Sequence, residues 1–176
     1  MSHSCHSHCC HATSVSQTLD ELDFERGIWS AASNNDLSRA EFLIDKSNNV
    51  DVEDKAGYTA LHYSSRNGHL EMCKLLISKG ANVNALTRSG RVTALHRCAS
   101  RGHLEVFNLL VNSGAKFDLQ DSDGKTVLHR AVEGGHINIV KEILKLCPQL
   151  TNCSDNRGRV PKDYVQETNV LYKMLD

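Results

Sequence analysis

The sequence predicts an all-α solenoid assembled from repeated helix pairs, and three observations predict it. The motif Gly-x-Thr-Ala-Leu-His begins at Gly57, and close copies return around Thr93 and Thr126. Thr59 to Thr93 is 34 residues and Thr93 to Thr126 is 33, a period that marks a stack of small helical units. Within each period the apolar residues fall at helical spacing, as at Leu70, Met72, Cys73, Leu75 and Leu76. One such unit cannot bury its apolar face alone, so neighbours must stack.

Residues 1–17 read as a disordered Cys/His-rich tail, and residues 18–176 as a single repeat domain. Its units run approximately over 22–53, 54–86, 87–120 and 121–154, followed by a truncated cap at 155–176. The first unit keeps a helix pair, from Ile28-Trp29-Ser30 through Phe42-Leu43-Ile44, but lacks the Thr and His. It has Asn35-Asp36 where the others have Gly-His, and Asn tolerates a left-handed backbone. In the next three units Thr59, Thr93 and Thr126 suit a helix N-cap, where the hydroxyl accepts an unpaired backbone N–H. Gly68, Gly102 and Gly135 suit the left-handed end of each first helix, and Gly80 and Gly114 the end of the second. The third unit holds one extra residue at Arg91-Val92, and the fourth has Cys147-Pro148 in place of Gly-Ala. The last unit restarts at Asp155, places Pro161 where a missing N–H costs nothing, and predicts a capping helix over Tyr164 to Leu175.

These lines resemble the ankyrin repeat, over roughly residues 22–176. The resemblance implies a β-turn finger followed by two antiparallel helices. It also implies that His62, His96 and His129 bond locally to the turn and to the neighbouring repeat. Partners of such proteins usually meet the finger tips and first helices along one concave face. By register, that face carries Tyr58, Arg66, Arg88, Arg91, Arg101, Lys125, Arg157 and Arg159. With Lys55 it has eight cations against Asp123, Glu133 and Glu167, on a chain whose net charge is −1. An acidic protein partner is therefore expected there, with Tyr58 as aromatic anchor. Nucleic acid is disfavoured, because no continuous basic helix is available to enter a groove. The resemblance further implies that Asn84, eight residues after Leu76, is a candidate for hydroxylation, although Asn82 stands where an acidic residue is preferred.

Catalysis has no support in the pattern. The histidines keep no triad order with Ser, Cys or Asp, and the glycines form no phosphate-binding loop between strand and helix. A second class of reading rests on the tail, where Cys5, His6, His8, Cys9, Cys10 and His11 supply soft and imidazole donors suited to zinc or copper. Their spacing is too short and irregular for a known zinc fold, so no cofactor is expected. No apolar run approaches the ~18–20 residues of a membrane span, and the N-terminus lacks the apolar core of a signal peptide. Seven cysteines, an odd number, read as reduced thiols, and a monomer in the cytoplasm, the nucleus or both is expected.

Overall fold

A computed structural model describes residues 27–166 and 169–175. The tail ligand candidates Cys5, His6, His8, Cys9, Cys10 and His11 lie outside the described residues, as does Glu167.

Helices α1 (Ile28–Ser33) and α2 (Leu37–Ser47) form the first pair, and α3 (Ala60–Asn67) and α4 (Leu70–Ser78) the second. Helices α5 (Ala94–Arg101) and α6 (Leu104–Asn112) follow, then α7 (Val127–Glu133) and α8 (Ile137–Leu146). Two 3₁₀ turns, Pro148–Asn152 and Pro161–Tyr164, lead to α9 (Val170–Met174). The first helices α1, α3, α5 and α7 pack side by side in one row, and the second helices form another behind it. The Pro161–Tyr164 turn continues the first row against α7.

All these helices are shorter than the ~12–15 residues at which an isolated helix becomes even marginally stable, so packing holds them. Small residues let the first row approach closely: Ala32, Ala60, Ser64, Ser65, Ala99 and Ala131 are buried. Larger side chains fill the space between rows. Met72, Cys73, Leu76, Phe107, Leu110, Val140 and Ile143 are completely buried. Cys98 lies among them, where burial pushes its thiol pKa up.

The expected helix ends are present. Thr59, Thr93 and Thr126 stand at the N-caps of α3, α5 and α7, and the Thr93 hydroxyl accepts the His96 N–H at 3.3 Å. Gly68 and Gly102 close α3 and α5 in the left-handed conformation. Asn35 takes that conformation in the first unit, with φ of 58°.

The fingers are turns stacked on one another. Within each finger a backbone N–H returns to a carbonyl: Asp54 to Tyr58, Thr87 to Val92, Asp121 to Lys125 and Asp155 to Arg159, at 2.9–3.1 Å. Between fingers, Arg88 N–H donates to Ala56 O at 3.0 Å, Ser122 N–H to Gly90 O at 2.9 Å, and Asn156 N–H to Asp123 O at 2.9 Å. The extra residue of the third unit is absorbed at Arg91, whose φ is +49°.

At Cys147-Pro148 the end of the second helix departs from the other units, and the C-terminal cap departs from the single helix expected. Pro148 starts a 3₁₀ turn that brings Leu150 into the core. The C-terminal cap is not one helix over Tyr164 to Leu175. Its Pro161–Tyr164 turn ends in extended backbone at Val165, and α9 starts afresh from Asn169, whose side chain accepts the Leu171 N–H.

Candidate functional site: the face of fingers and first helices

Three fingers begin with an aspartate that serves two structures at once. In Asp54, Asp121 and Asp155 the Oδ1 atom accepts the backbone N–H groups two and four residues later, at 2.8–3.0 Å. The Oδ2 atom accepts from a side chain nine residues later, on the following first helix or turn. Tyr63 Oη donates to Asp54 at 2.7 Å, Arg130 Nε to Asp121 at 2.8 Å, and Tyr164 Oη to Asp155. The Tyr164 hydroxyl and the Arg159 and Arg157 N–H groups hold the Asp155 carboxyl well below the usual carboxylate range, against the opposing effect of its burial. Burial and the Asp155 carboxylate push the Tyr164 phenol up to about 12.

The repeat histidines divide into two sets that reach across unit boundaries in opposite directions, and both sets meet at the boundaries on either side of the third unit. His62, His96 and His129 accept the Thr N–H of their own N-cap at Nδ1. Their Nε2 atoms point forward to carbonyls of the next finger: Ala85 and Val92, Lys125, and Arg159, at 3.0–3.3 Å. His69, His103 and His136 point backward. Their Nε2 atoms meet the Ser33, Arg66 and Ser100 carbonyls at the ends of the preceding first helices, at 2.9–3.1 Å. Burial lowers the pKa of His62, His96 and His129, in His96 to about 4.

The cations expected on the face separate into two groups. Arg66, Arg91, Arg101 and Arg157 are exposed and, among the described residues, stand in no ion pair. The others are already engaged. Lys125 is buried rather than presented: its ammonium pairs with Glu133 and lies 4.6 Å above the Tyr164 ring. Arg159 is paired with Asp155 at 3.0 Å and lies over the same ring at 4.4 Å. Arg88 is exposed but pairs with Glu53 at 2.7 Å. Tyr58 is half-buried, packed edge-on against His62 and covered by the Arg97 guanidinium at 4.6 Å. Asn84, half-buried, spans the next boundary: its amide donates to Gly114 O at 3.0 Å and accepts from Lys116 N–H at 2.8 Å.

Sequence reading missed two residues of this face, Tyr63 and Arg97. Their spacing from the finger-opening residue follows neither helix nor strand period. The available signal was a substitution, Thr87 where the neighbouring units have Asp54, Asp121 and Asp155.

A family model described as ankyrin repeats, three copies, matches residues 28–121 and again 86–157. The chain belongs to the ankyrin-repeat family. As such it is a protein–protein interaction module. Human ankyrin repeat domain-containing protein 39 is 54% identical over 83 residues, covering 47% of this chain and 45% of the relative. The Bos taurus protein of that name is 63% identical over 65 residues, covering 37% of this chain and 36% of the relative. Alpha-latrotoxin-Lh1a of Latrodectus hasselti is 34% identical over 119 residues, covering 64% of this chain but 9% of the toxin. The match thus spans less than half the length of the human and Bos taurus relatives. Among the described residues no helix is long and apolar enough to cross a membrane.

Proposed function

We propose that this ankyrin-repeat chain is a non-enzymatic adaptor or docking inhibitor whose face of fingers and first helices takes an acidic segment of a partner protein. The observation that carries this reading is the row Arg66, Arg91, Arg101 and Arg157. These four cations are exposed and, among the described residues, pair with no carboxylate, while Lys125, Arg88, Arg130 and Arg159 are neutralised within the fold. Arginine concentrates binding energy at interfaces, and a same-sign row steers an oppositely charged partner. Nucleic acid suits the face less well. Asp123 and Glu133 interrupt the row, and none of the first helices is long enough to line a groove. The module takes no cofactor and acts as a monomer. The free thiols Cys73, Cys98, Cys147 and Cys153 suit a reducing compartment, cytoplasm or nucleus.

The test is a titration of the full chain with a Glu-Gly repeat peptide, its Gln-Gly counterpart and duplex DNA, over a salt series. Binding of the acidic peptide should weaken as salt rises and fall in Arg66→Glu, Arg91→Glu and Arg101→Glu. Salt-independent binding, or stronger binding to DNA, overturns the reading. Deleting residues 1–12 should leave peptide binding unchanged. Loss of binding on that deletion would move the function to the tail.

A further inference from the structure

Arg97 occupies an anomalous place in the row of groups that meet the finger aspartates. Tyr63, Arg97, Arg130 and Tyr164 hold equivalent positions on successive first helices or turns. Three of them bond to an aspartate of their own unit. Thr87 is the structural counterpart of those aspartates, because it makes the same backbone bond across its finger and its hydroxyl accepts the Val92 N–H at 3.0 Å. It supplies no negative charge. Arg97 therefore has no carboxylate at the finger position of its own unit.

The consequence is visible in the geometry. The Arg97 guanidinium leans back across the unit boundary, over the Tyr58 ring, and its Nη2 donates to the Tyr58 hydroxyl, a neutral acceptor. Its Nε is buried and has no acceptor among the described residues. The finger carboxylate of the preceding unit, Asp54, is already engaged within that unit. Its Oδ1 takes the Ala56 and Tyr58 N–H groups and its Oδ2 takes the Tyr63 hydroxyl. Around the guanidinium lies a hollow of about 220 Å³ lined by Tyr58, His62, Tyr63, Arg66 and Arg97. That volume equals several waters at ~30 Å³ each, which leaves room for a carboxylate side chain. Arg66, exposed on its rim, adds a second cation.

The next unit shows what belongs opposite a guanidinium at this position. Arg130 turns Nε and Nη2 onto the Asp121 carboxylate at 2.8 Å and 2.5 Å, with Asp123 and Glu133 each at 3.2 Å. A buried guanidinium N–H without an acceptor is costly, and a fork of two N–H groups matches a carboxylate better than a hydroxyl.

We infer that the hollow between the second and third units is a subsite for one Asp or Glu side chain of the protein partner, held by Arg97 and rimmed by Arg66. This rests on the proposed acidic partner and names where one of its carboxylates sits. The incoming carboxylate takes the place that Thr87 leaves empty of charge. The Arg97 fork releases the Tyr58 hydroxyl and presents Nε–H and Nη2–H to the ligand. Tyr58 stays beneath the guanidinium as a platform.

The variant Thr87→Asp tests this without damaging the fold, because it supplies the carboxylate internally. The probe is the Glu-Gly repeat peptide, with the Gln-Gly peptide as control. In the parent chain the Arg97 Nε–H resonance should shift saturably with the Glu peptide and not with the Gln peptide. In Thr87→Asp the melting temperature should hold or rise, while affinity for the Glu peptide falls about tenfold or more, as for loss of a charge-assisted hydrogen bond. Arg97→Lys should lose affinity similarly, because a point charge does not replace the fork. If the Glu peptide binds in a manner that depends on Arg66, Arg91 and Arg101 but Thr87→Asp leaves it unchanged, the subsite is wrong and the acidic face stands. If the Glu peptide does not bind at all, both readings fall.

Discussion

His62, His96 and His129 each accept a hydrogen bond at Nδ1 and face carbonyls at Nε2, an arrangement that only the neutral ring with its proton on Nε2 satisfies. Their folded pKa values lie below the ordinary 6.5. Below that value the unfolded chain binds more protons than the folded one. Their contribution is therefore complete above about pH 6.5 and is lost as pH falls towards the folded values, about 4 for His96. Urea denaturation should give a lower stability at about pH 5.5 than at about pH 7.5, with His96 alone contributing on the order of 1 kcal/mol and His62 and His129 acting in the same direction. A midpoint that stays flat across this window would contradict neutral staples. Glycine gives a second test at this scale. Gly102 has φ of +83°, and a Cβ there would lie 2.5 Å from His136 Nδ1. Gly80 has φ of +90° with nothing near it. Both alanine variants carry backbone strain, but only Gly102→Ala also displaces a backward staple. It should cost more than about 1 kcal/mol, and more than Gly80→Ala, by thermal melting.

The second helices depend on the buried side chains between the rows. Leu110→Ala on α6 should cost about 2–5 kcal/mol in chemical denaturation, because the completely buried side chain leaves a cavity. Arg88→Ala should cost less than about 1 kcal/mol, because the pair with Glu53 is exposed. A reversal of that order would mean the register is wrong. Most of this level was legible in the sequence. The Thr, Gly and Leu positions each follow from a local rule, since caps and helix ends are satisfied within a few residues. Contacts that depend on the identity of the neighbouring unit were not legible. Lys125 looks exposed by register but is covered by Glu133 and by Tyr164 of the next unit. The backward reach of His69, His103 and His136 likewise needs the preceding helix in place. Arg97 became conspicuous only when the aspartate missing at Thr87 could be set beside its three counterparts. The metal candidates of the tail lie outside the described residues.

The helices of the whole molecule meet mainly those of adjoining units, and stability in such a stack is a sum over units and boundaries. Among the described residues, the first and last units each adjoin one other unit. Amide exchange should be slowest in α5, which packs between α3 and α7, and faster in α1 and α9. Uniform exchange along the stack would point instead to a single all-or-none unit. The paired histidine clamps have a further consequence. Each internal unit carries the same forward donor on one edge and the same backward donor on the other. A block cut at equivalent points has two complete, mating edges, and a copy of it can be spliced in without inventing a contact. Length here is quantised: the molecule can grow or shrink by whole blocks, whereas a cut through a block leaves half a clamp unmated at each edge.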